Sequence, residues 1–244
     1  VYKRQHYELG YDEVMKEKPN YTRYGGVSIS YADGDASYSR GSGDNHSRAM
    51  NFYVTEMGNK GHYLDVVLRF HHMDTNFKMF DENGKKIRGD MHNVGISLSS
   101  EYGRKKMIDD KGWYIEPQGQ LTLGYLGGDN YTTSNGIAVR QGGIRSALGR
   151  IGFNLGKDID EKTNIYLKAN LLHEFGGGYH AAMTDSSGSR IKIDRSFKDT
   201  WFEYGIGAAI QTGTNNHVYL DFERSAGGDF KKDWSWNVGA RWTF

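Results

Sequence analysis

Apolar and polar side chains alternate with a period of two along most of this chain. The end of the chain shows the pattern most clearly, because polar or small residues separate Trp236, Val238, Ala240, Trp242 and Phe244. Successive side chains of a strand point to opposite sides, so strict alternation predicts strands. The last strand of a soluble β-sandwich would alternate in the same way. This segment therefore leaves sandwich and barrel open.

The same alternation recurs upstream, and the repeated segments have a characteristic length. They cover residues 64–70, 94–101, 115–125, 165–175, 202–211 and 218–223. The longer segments run about ten residues, enough to cross a bilayer when tilted, whereas soluble strands average about half that length. Aromatic residues cluster at segment ends, where they would form girdles at the two membrane interfaces: Trp113, Tyr114, Tyr125, Trp201, Tyr204, Trp234 and Trp236.

The connections between these segments favour a transmembrane barrel. Long Gly-, Ser- and Asp-rich stretches alternate with short turns, as expected when one rim faces the outside and the other faces the periplasm. The alternation predicts about eleven strands, beginning near His6, in an antiparallel up-and-down barrel. A closed bacterial barrel needs an even number of strands, so we expect one further strand before residue 1. We assign residues 1–5 to a scar or disordered start and residues 6–244 to the barrel domain.

Amino-acid composition narrows the class of protein to which the chain can belong. Aromatic residues reach 14%, and Gly numbers 33 against 2 Pro, which suits many paired strands because Pro cannot donate to a ladder. The formal net charge of +1 gives no support to a nucleic-acid partner. With no Cys, a disulfide-stapled scaffold is excluded. No apolar run is long enough for a transmembrane helix.

Several stretches of the chain resemble the C-terminal translocator domain of type Va autotransporters, and they follow one another in the same order as in that family. They are LGYD, SYADGDASYSRGSGDN, GHYLDVVLRF, SLSSEYG, YIEPQGQL, RSALGRIGFNLGK, LHEFGGG, WFEYGIGA and WNVGARWTF. The resemblance implies an all-β, 12-stranded barrel in the outer membrane of a Gram-negative bacterium. It also implies type V secretion of an N-terminal passenger to the cell surface. The passenger and the linker helix of the family's pore are absent from this chain.

The resemblance also implies partners and an orientation. The terminal strand would be the signal read by the barrel-assembly machinery, and it maps onto Trp236, Val238, Ala240, Trp242 and Phe244. Outer-membrane lipid and lipopolysaccharide would surround the barrel, with long loops extracellular and the C-terminus periplasmic. No cofactor is implied.

Charged residues on the second face of each segment are expected to line the lumen. They are Asp65, Arg69, Glu101, Glu116, Arg150, Lys168, Glu174, Glu203, Asp221, Glu223 and Arg241. Charges of both signs would pair across strands, and lumen water would keep their desolvation cost small.

No catalytic or metal site is predicted. Adjacent residues such as His71 and His72 point to opposite faces of a strand and cannot chelate one ion. Asp221 and Glu223 share a face and could mimic paired carboxylates, but the only histidine on their strand, His217, lies near its opposite end. We expect no enzyme. The alternative to a translocator is a stand-alone outer-membrane pore or adhesin that acts through loops around residues 35–45 and 179–199.

Overall fold

The computed structural model describes residues 2–212, 216–229 and 231–242, and all of its regular structure is extended. No helix in this described part is long and apolar enough to cross a membrane. The strands are β1 Tyr2–Lys18, β2 Tyr21–Tyr38, β3 Gly41–Gly58, β4 His62–Phe80, β5 Lys86–Arg104, β6 Lys106–Met107, β7 Trp113–Leu126, β8 Asn130–Thr132, β9 Ala138–Gln141, β10 Ile144–Asp158, β11 Thr163–Glu174, β12 Gly178–Thr184, β13 Arg190–Ser196, β14 Asp199–Gln211, β15 His217–Ala226 and β16 Ser235–Arg241.

Eleven of these strands form one antiparallel sheet in chain order. Its order is β1-β2-β3-β4-β5-β7-β10-β11-β14-β15-β16, and the two-residue β6 pairs with β7. Each strand of the sheet pairs with the next one along the chain, so the sheet is an up-and-down meander. The predicted antiparallel up-and-down architecture and the predicted count of about eleven strands are confirmed.

The sheet curls far enough for side chains of its first and last strands to touch. The Arg241 Nη2 on β16 lies 2.8 Å from the Asp12 Oδ2 on β1, although 229 positions separate the two residues. Both side chains belong to the polar face of their strands. A long sheet whose ends meet through one face must curl with that face inside. The polar face is therefore the inner face.

The outer face is apolar and packs against nothing else among the described residues. Leu9, Val94 and Ile151 are 74%, 65% and 64% exposed, and large apolar side chains are exposed on every one of the eleven strands. No large side chain among the described residues is fully buried. A soluble sandwich would bury its apolar face against a second sheet. Here the apolar surface points away from the molecule, as a barrel in lipid requires.

The first five strands are longer than the sequence pattern predicts. They contain 17 to 19 residues rather than about ten. Residues 35–45, expected as a long loop, instead continue β2 and β3, which are joined by the turn at Ser39 and Arg40. Residues 2–5, expected as a scar or disordered start, belong to β1. The pattern missed the extended parts of β2 and β3 because their residues are mostly small or polar, without large apolar side chains at alternate positions.

Two connections at one end of the meander fold into a second sheet. Its order is β13-β12-β9-β8, with β8 and β9 between β7 and β10, and β12 and β13 between β11 and β14. The stretch 179–199, expected as a loop, thus contains most of a β-hairpin. This small sheet extends the wall at the end that carries the longest connections.

Candidate functional site: the polar inner face

Arg150 on β10 is the centre of the first polar network of the inner face. Its Nη2 lies 2.8 Å from the Glu101 Oε2 on β5, across the intervening strand β7. The same guanidinium donates to Gln118, Gln120 and Asn170 at 3.2, 2.8 and 2.9 Å. Arg150 and Glu101 are 16% and 22% exposed. A single cation on β10 therefore joins polar groups from three other strands, β5, β7 and β11.

Lys168 on β11 is the centre of the second network. Its Nζ lies 2.9 Å from the Asp221 Oδ1 and 2.5 Å from the Glu223 Oε1, both on β15. Lys232, from the connection before β16, adds a second cation at 3.1 Å from Glu203 and 3.3 Å from Glu223. These two ammonium and three carboxylate groups converge because a curled sheet brings inner side chains of alternate strands together.

The other charged residues predicted for the lumen contact fewer partners. Arg69 donates to the Ser30 hydroxyl at 3.2 Å, and Asp65 accepts from the Thr55 hydroxyl at 2.5 Å. Asp65 and Arg69 thus satisfy their polar groups with hydroxyls of nearby strands rather than with opposite charges.

Glu116 and Glu174 lie further along the sheet. Glu116 accepts from Asn154 at 3.1 Å. Glu174 accepts from the Ser146 hydroxyl at 2.5 Å and from the backbone N–H groups of Ala147 and Gly176 at 2.8 and 2.7 Å. Glu174 thereby anchors the start of the long connection after β11.

The two cation networks border a polar cavity of about 350 Å³. Its walls are Gln118, Gln120, Arg150, Asn154, Tyr166, Lys168, Asn170, Leu172, Glu203 and Glu223. Nine of these ten residues carry a polar group, so the cavity suits water. Asp221 and Glu223 both form ion pairs with the Lys168 ammonium.

Tyrosine rings packed over glycines form a feature of the inner face that the sequence analysis did not identify. Tyr166 lies opposite Gly207 in the register of β11 and β14, and a Cβ placed on Gly207 would meet the Tyr166 ring at 2.3 Å. Tyr63 and Gly103 form the same arrangement on β4 and β5. The missing Cβ lets the ring lie flat on the neighbouring strand. The high Tyr and Gly content is consistent with this arrangement, but only the pairing register shows which tyrosine lies opposite which glycine.

The C-terminal strand shows one apolar stripe. Trp236, Val238 and Trp242 are 60%, 58% and 64% exposed, and Ala240 is also exposed. Phe244, the last residue of the predicted assembly signal, lies outside the described residues. The stripe continues the apolar outer face along the edge strand β16.

Two aspartates set the turns outside the sheet. Asp160, between β10 and β11, accepts from the backbone N–H groups of Lys162 and Thr163 at 2.8 and 2.7 Å, which lowers its pKa. Asp185, between β12 and β13, accepts from the hydroxyl and backbone of Ser187 and from the backbone of Ser189. These bonds lower the pKa of Asp185, and the bond from the Ser187 hydroxyl contributes most to that lowering.

A curled antiparallel meander with an apolar outer face and a polar inner face defines an outer-membrane β-barrel domain. The Autotransporter beta-domain family matches residues 2–223, so the chain belongs to that family. The predicted resemblance is thereby confirmed. The chain is an outer-membrane translocator domain of the kind that serves secretion of a passenger.

Relatives and solved structures agree with this assignment. The chain is 31% identical over 244 residues to the pertactin autotransporter of Bordetella parapertussis, covering 98% of this chain and 26% of that protein. It is 26% identical to the BrkA autotransporter of Bordetella pertussis, covering 91% of this chain and 22% of that protein. The chain thus spans about a quarter of the length of these curated relatives.

The fold matches two solved autotransporter domains. The β domain of the Bordetella autotransporter BrkA aligns with a TM-score of 0.77 at 24% identity, over 100% of this chain and 91% of that one. The translocator domain of NalP from Neisseria meningitidis aligns with a TM-score of 0.70 at 12% identity, over 98% and 80%. Because both sequence identities are below 25%, these two structural matches support the fold alone.

Proposed function

We propose that the polar inner face is the wall of a hydrated lumen that a passenger segment occupies during its transfer to the cell surface. The observation that carries this proposal is the pairing of charges within the wall, exemplified by Lys168 with Asp221 and Glu223. Paired charges satisfy one another and leave a wet surface without strong binding sites, along which a hydrophilic peptide can move. In this proposal the domain has no catalytic role of its own and uses no cofactor.

The orientation in the membrane follows the asymmetry of the connections. The end that carries the second sheet faces outward, because outer-membrane barrels have their longer loops outside and their shorter turns in the periplasm. β16 runs away from that end, which places the C-terminus in the periplasm. The apolar outer face then contacts lipid and lipopolysaccharide acyl chains.

The exposed stripe of β16 supports a role in assembly. One apolar row lies along the edge strand β16 and consists of Trp236, Val238, Ala240 and Trp242. A partner protein can bind this row before the strand is inserted into lipid. We infer that the barrel-assembly machinery reads this row together with Phe244. Deleting Phe244 should lower the fraction of folded, heat-modifiable protein in the outer membrane, while Thr243→Ala should not. Normal assembly without Phe244 would contradict its role as a signal.

The hydrated lumen can be tested directly because the chain has no Cys. Asn154→Cys introduces a thiol in the inner cavity, and Leu167→Cys introduces one on the outer face, where Leu167 is 56% exposed. In lipid vesicles, a charged water-soluble thiol reagent should label position 154 and spare position 167. Equal labelling, or labelling of position 167 alone, would contradict the assignment of the two faces.

Transport of a passenger is tested on the complete gene. Protease added to intact cells should degrade the segment encoded upstream of Val1, and deletion of residues 1–244 should leave that segment protected in the periplasm. An upstream segment that reaches the surface without residues 1–244 would refute the translocator role.

A further inference from the structure

Three potential metal ligands lie together on the outer face of β4 and β5, just beyond the apolar band. His72 and Asp74 are two residues apart on β4, so they share a face. His92 lies directly opposite Asp74 on β5. On the same face the next residues toward the apolar band are Phe70 and Val94, which are 45% and 65% exposed. The cluster therefore borders the lipid-facing surface without belonging to it.

The geometry of the cluster matches a chelate. The Asp74 carboxylate uses one oxygen toward each histidine: Oδ1 lies 2.7 Å from the His92 Nδ1, and Oδ2 lies 3.5 Å from the His72 Nδ1. The potential ligand atoms of the three residues all lie within 4.8 Å of one another. A tetrahedral ion with bonds of about 2.1 Å requires about 3.4 Å between ligand atoms. Small side-chain rotations reach that spacing.

The surroundings keep the cluster both ordered and accessible. The two imidazoles stack at 6.4 Å with an interplanar angle of 17°, so they already face the same region. His72 and His92 are 46% and 64% exposed, which leaves an approach from solvent. The His92 backbone N–H donates to the Asp129 Oδ2 at 2.7 Å, which ties the connection after β7 to this point of β5.

We propose that His72, Asp74 and His92 form a binding site for a divalent transition-metal ion, best matched by zinc. Two imidazole nitrogens and one carboxylate oxygen are borderline donors that favour zinc, nickel or copper over magnesium and calcium, which prefer all-oxygen sites. The fourth position of a tetrahedral zinc ion stays open to water. Bound metal replaces the direct contact between His92 and Asp74 and links β4 to β5.

The sequence analysis weighed adjacent residues such as His71 and His72, not residues two apart on one strand. His71 and His72 do point to opposite faces, as expected. The relevant spacing is His72 to Asp74 along β4, completed by a residue across the ladder that only the register could reveal. Other histidines serve as comparisons, since the His180 Nδ1 contacts Asp194 and no other cluster of three potential ligands occurs in residues 2–212, 216–229 and 231–242.

The test is titration of the folded chain, without a polyhistidine tag, with zinc chloride in detergent micelles. Calorimetry should show one zinc ion per chain, and zinc should raise the temperature of thermal unfolding. His72→Gln and His92→Gln should each weaken zinc binding by about 100-fold or more, since even outer-shell partners of a ligand contribute roughly 10–100-fold. His180→Gln, which removes an exposed histidine beside a single aspartate, should bind zinc like the parent chain.

Three outcomes would overturn the proposal. The first is no stoichiometric zinc binding up to millimolar concentration in a chain that heat-modifiability shows to be folded. The second is zinc binding that survives His92→Gln unchanged. The third is a loss in His180→Gln equal to that in His92→Gln, which would indicate non-specific binding to surface histidines.

Discussion

Removing the Lys168 ammonium should destabilise the sheet more than any other single charge removal on the inner face. In Lys168→Met the side chain keeps its apolar stem but no longer pairs with Asp221 at 2.9 Å or Glu223 at 2.5 Å. These three side chains are 14%, 13% and 16% exposed, so water compensates the loss only in part. The variant therefore leaves two like charges, two residues apart on β15, without their shared cation.

The magnitude follows from the burial of the pair. Removing one partner of a buried ion pair costs about 3–5 kcal/mol, and the adjoining wet cavity should reduce this to about 2–3 kcal/mol in the free energy of unfolding. Lys232 still lies 3.3 Å from Glu223, which sets the lower end of that range. Lys198→Met, at an exposed position outside the network, should change stability by no more than about 0.5 kcal/mol.

The assay is equilibrium unfolding in urea with the chain reconstituted in lipid vesicles, followed by tryptophan fluorescence and heat-modifiability. The deciding comparison is with the triple variant Lys168→Met, Asp221→Asn, Glu223→Gln. This variant removes the two carboxylate charges together with the cation that paired with them. It should be more stable than Lys168→Met alone. If the triple variant is no more stable, or if Lys168→Met matches Lys198→Met, the reasoning from an uncompensated buried charge is wrong.

Two further predictions concern packing and pH. Gly207→Ala places a Cβ at 2.3 Å from the Tyr166 ring and should cost about 1–3 kcal/mol in unfolding free energy. Gly119→Ala, where a Cβ meets nothing within 4 Å, should be close to neutral in the same urea experiment, and equal losses would refute the ring-packing account. The pKa of Asp185 is lowered by its turn hydrogen bonds, so they stabilise the β12–β13 turn above the unfolded-state pKa of about 3.9 and lose that effect as pH falls through the lower folded value. The protection of the Ser189 amide, taken as its exchange rate relative to the intrinsic rate at the same pH, should fall in that acid range. Asp185→Asn should abolish this pH dependence of the protection; an unchanged protection profile in the variant would contradict this assignment.

The alternation of side chains determined the class of fold, because a strand in contact with lipid on one side and water on the other must alternate. Leu167 and Lys168 illustrate this, since one is exposed on the outer face and the other lies in the inner network. The count of about eleven strands followed from the same pattern. The extended parts of β2 and β3 escaped it, because beyond the apolar band both faces of a strand are polar or small.

Only the tertiary structure decided which residues meet. Arg150 reaches Glu101 across β7, and Lys168 reaches Asp221 across β14, because curling brings alternate strands together on the inner side. His92 joins Asp74 because the β4–β5 register places them opposite one another, 18 positions apart in the chain. Alternation fixes the face on which a side chain lies, a property of each strand alone. Register and curvature belong to the whole sheet, and they set the partners of each residue on that face.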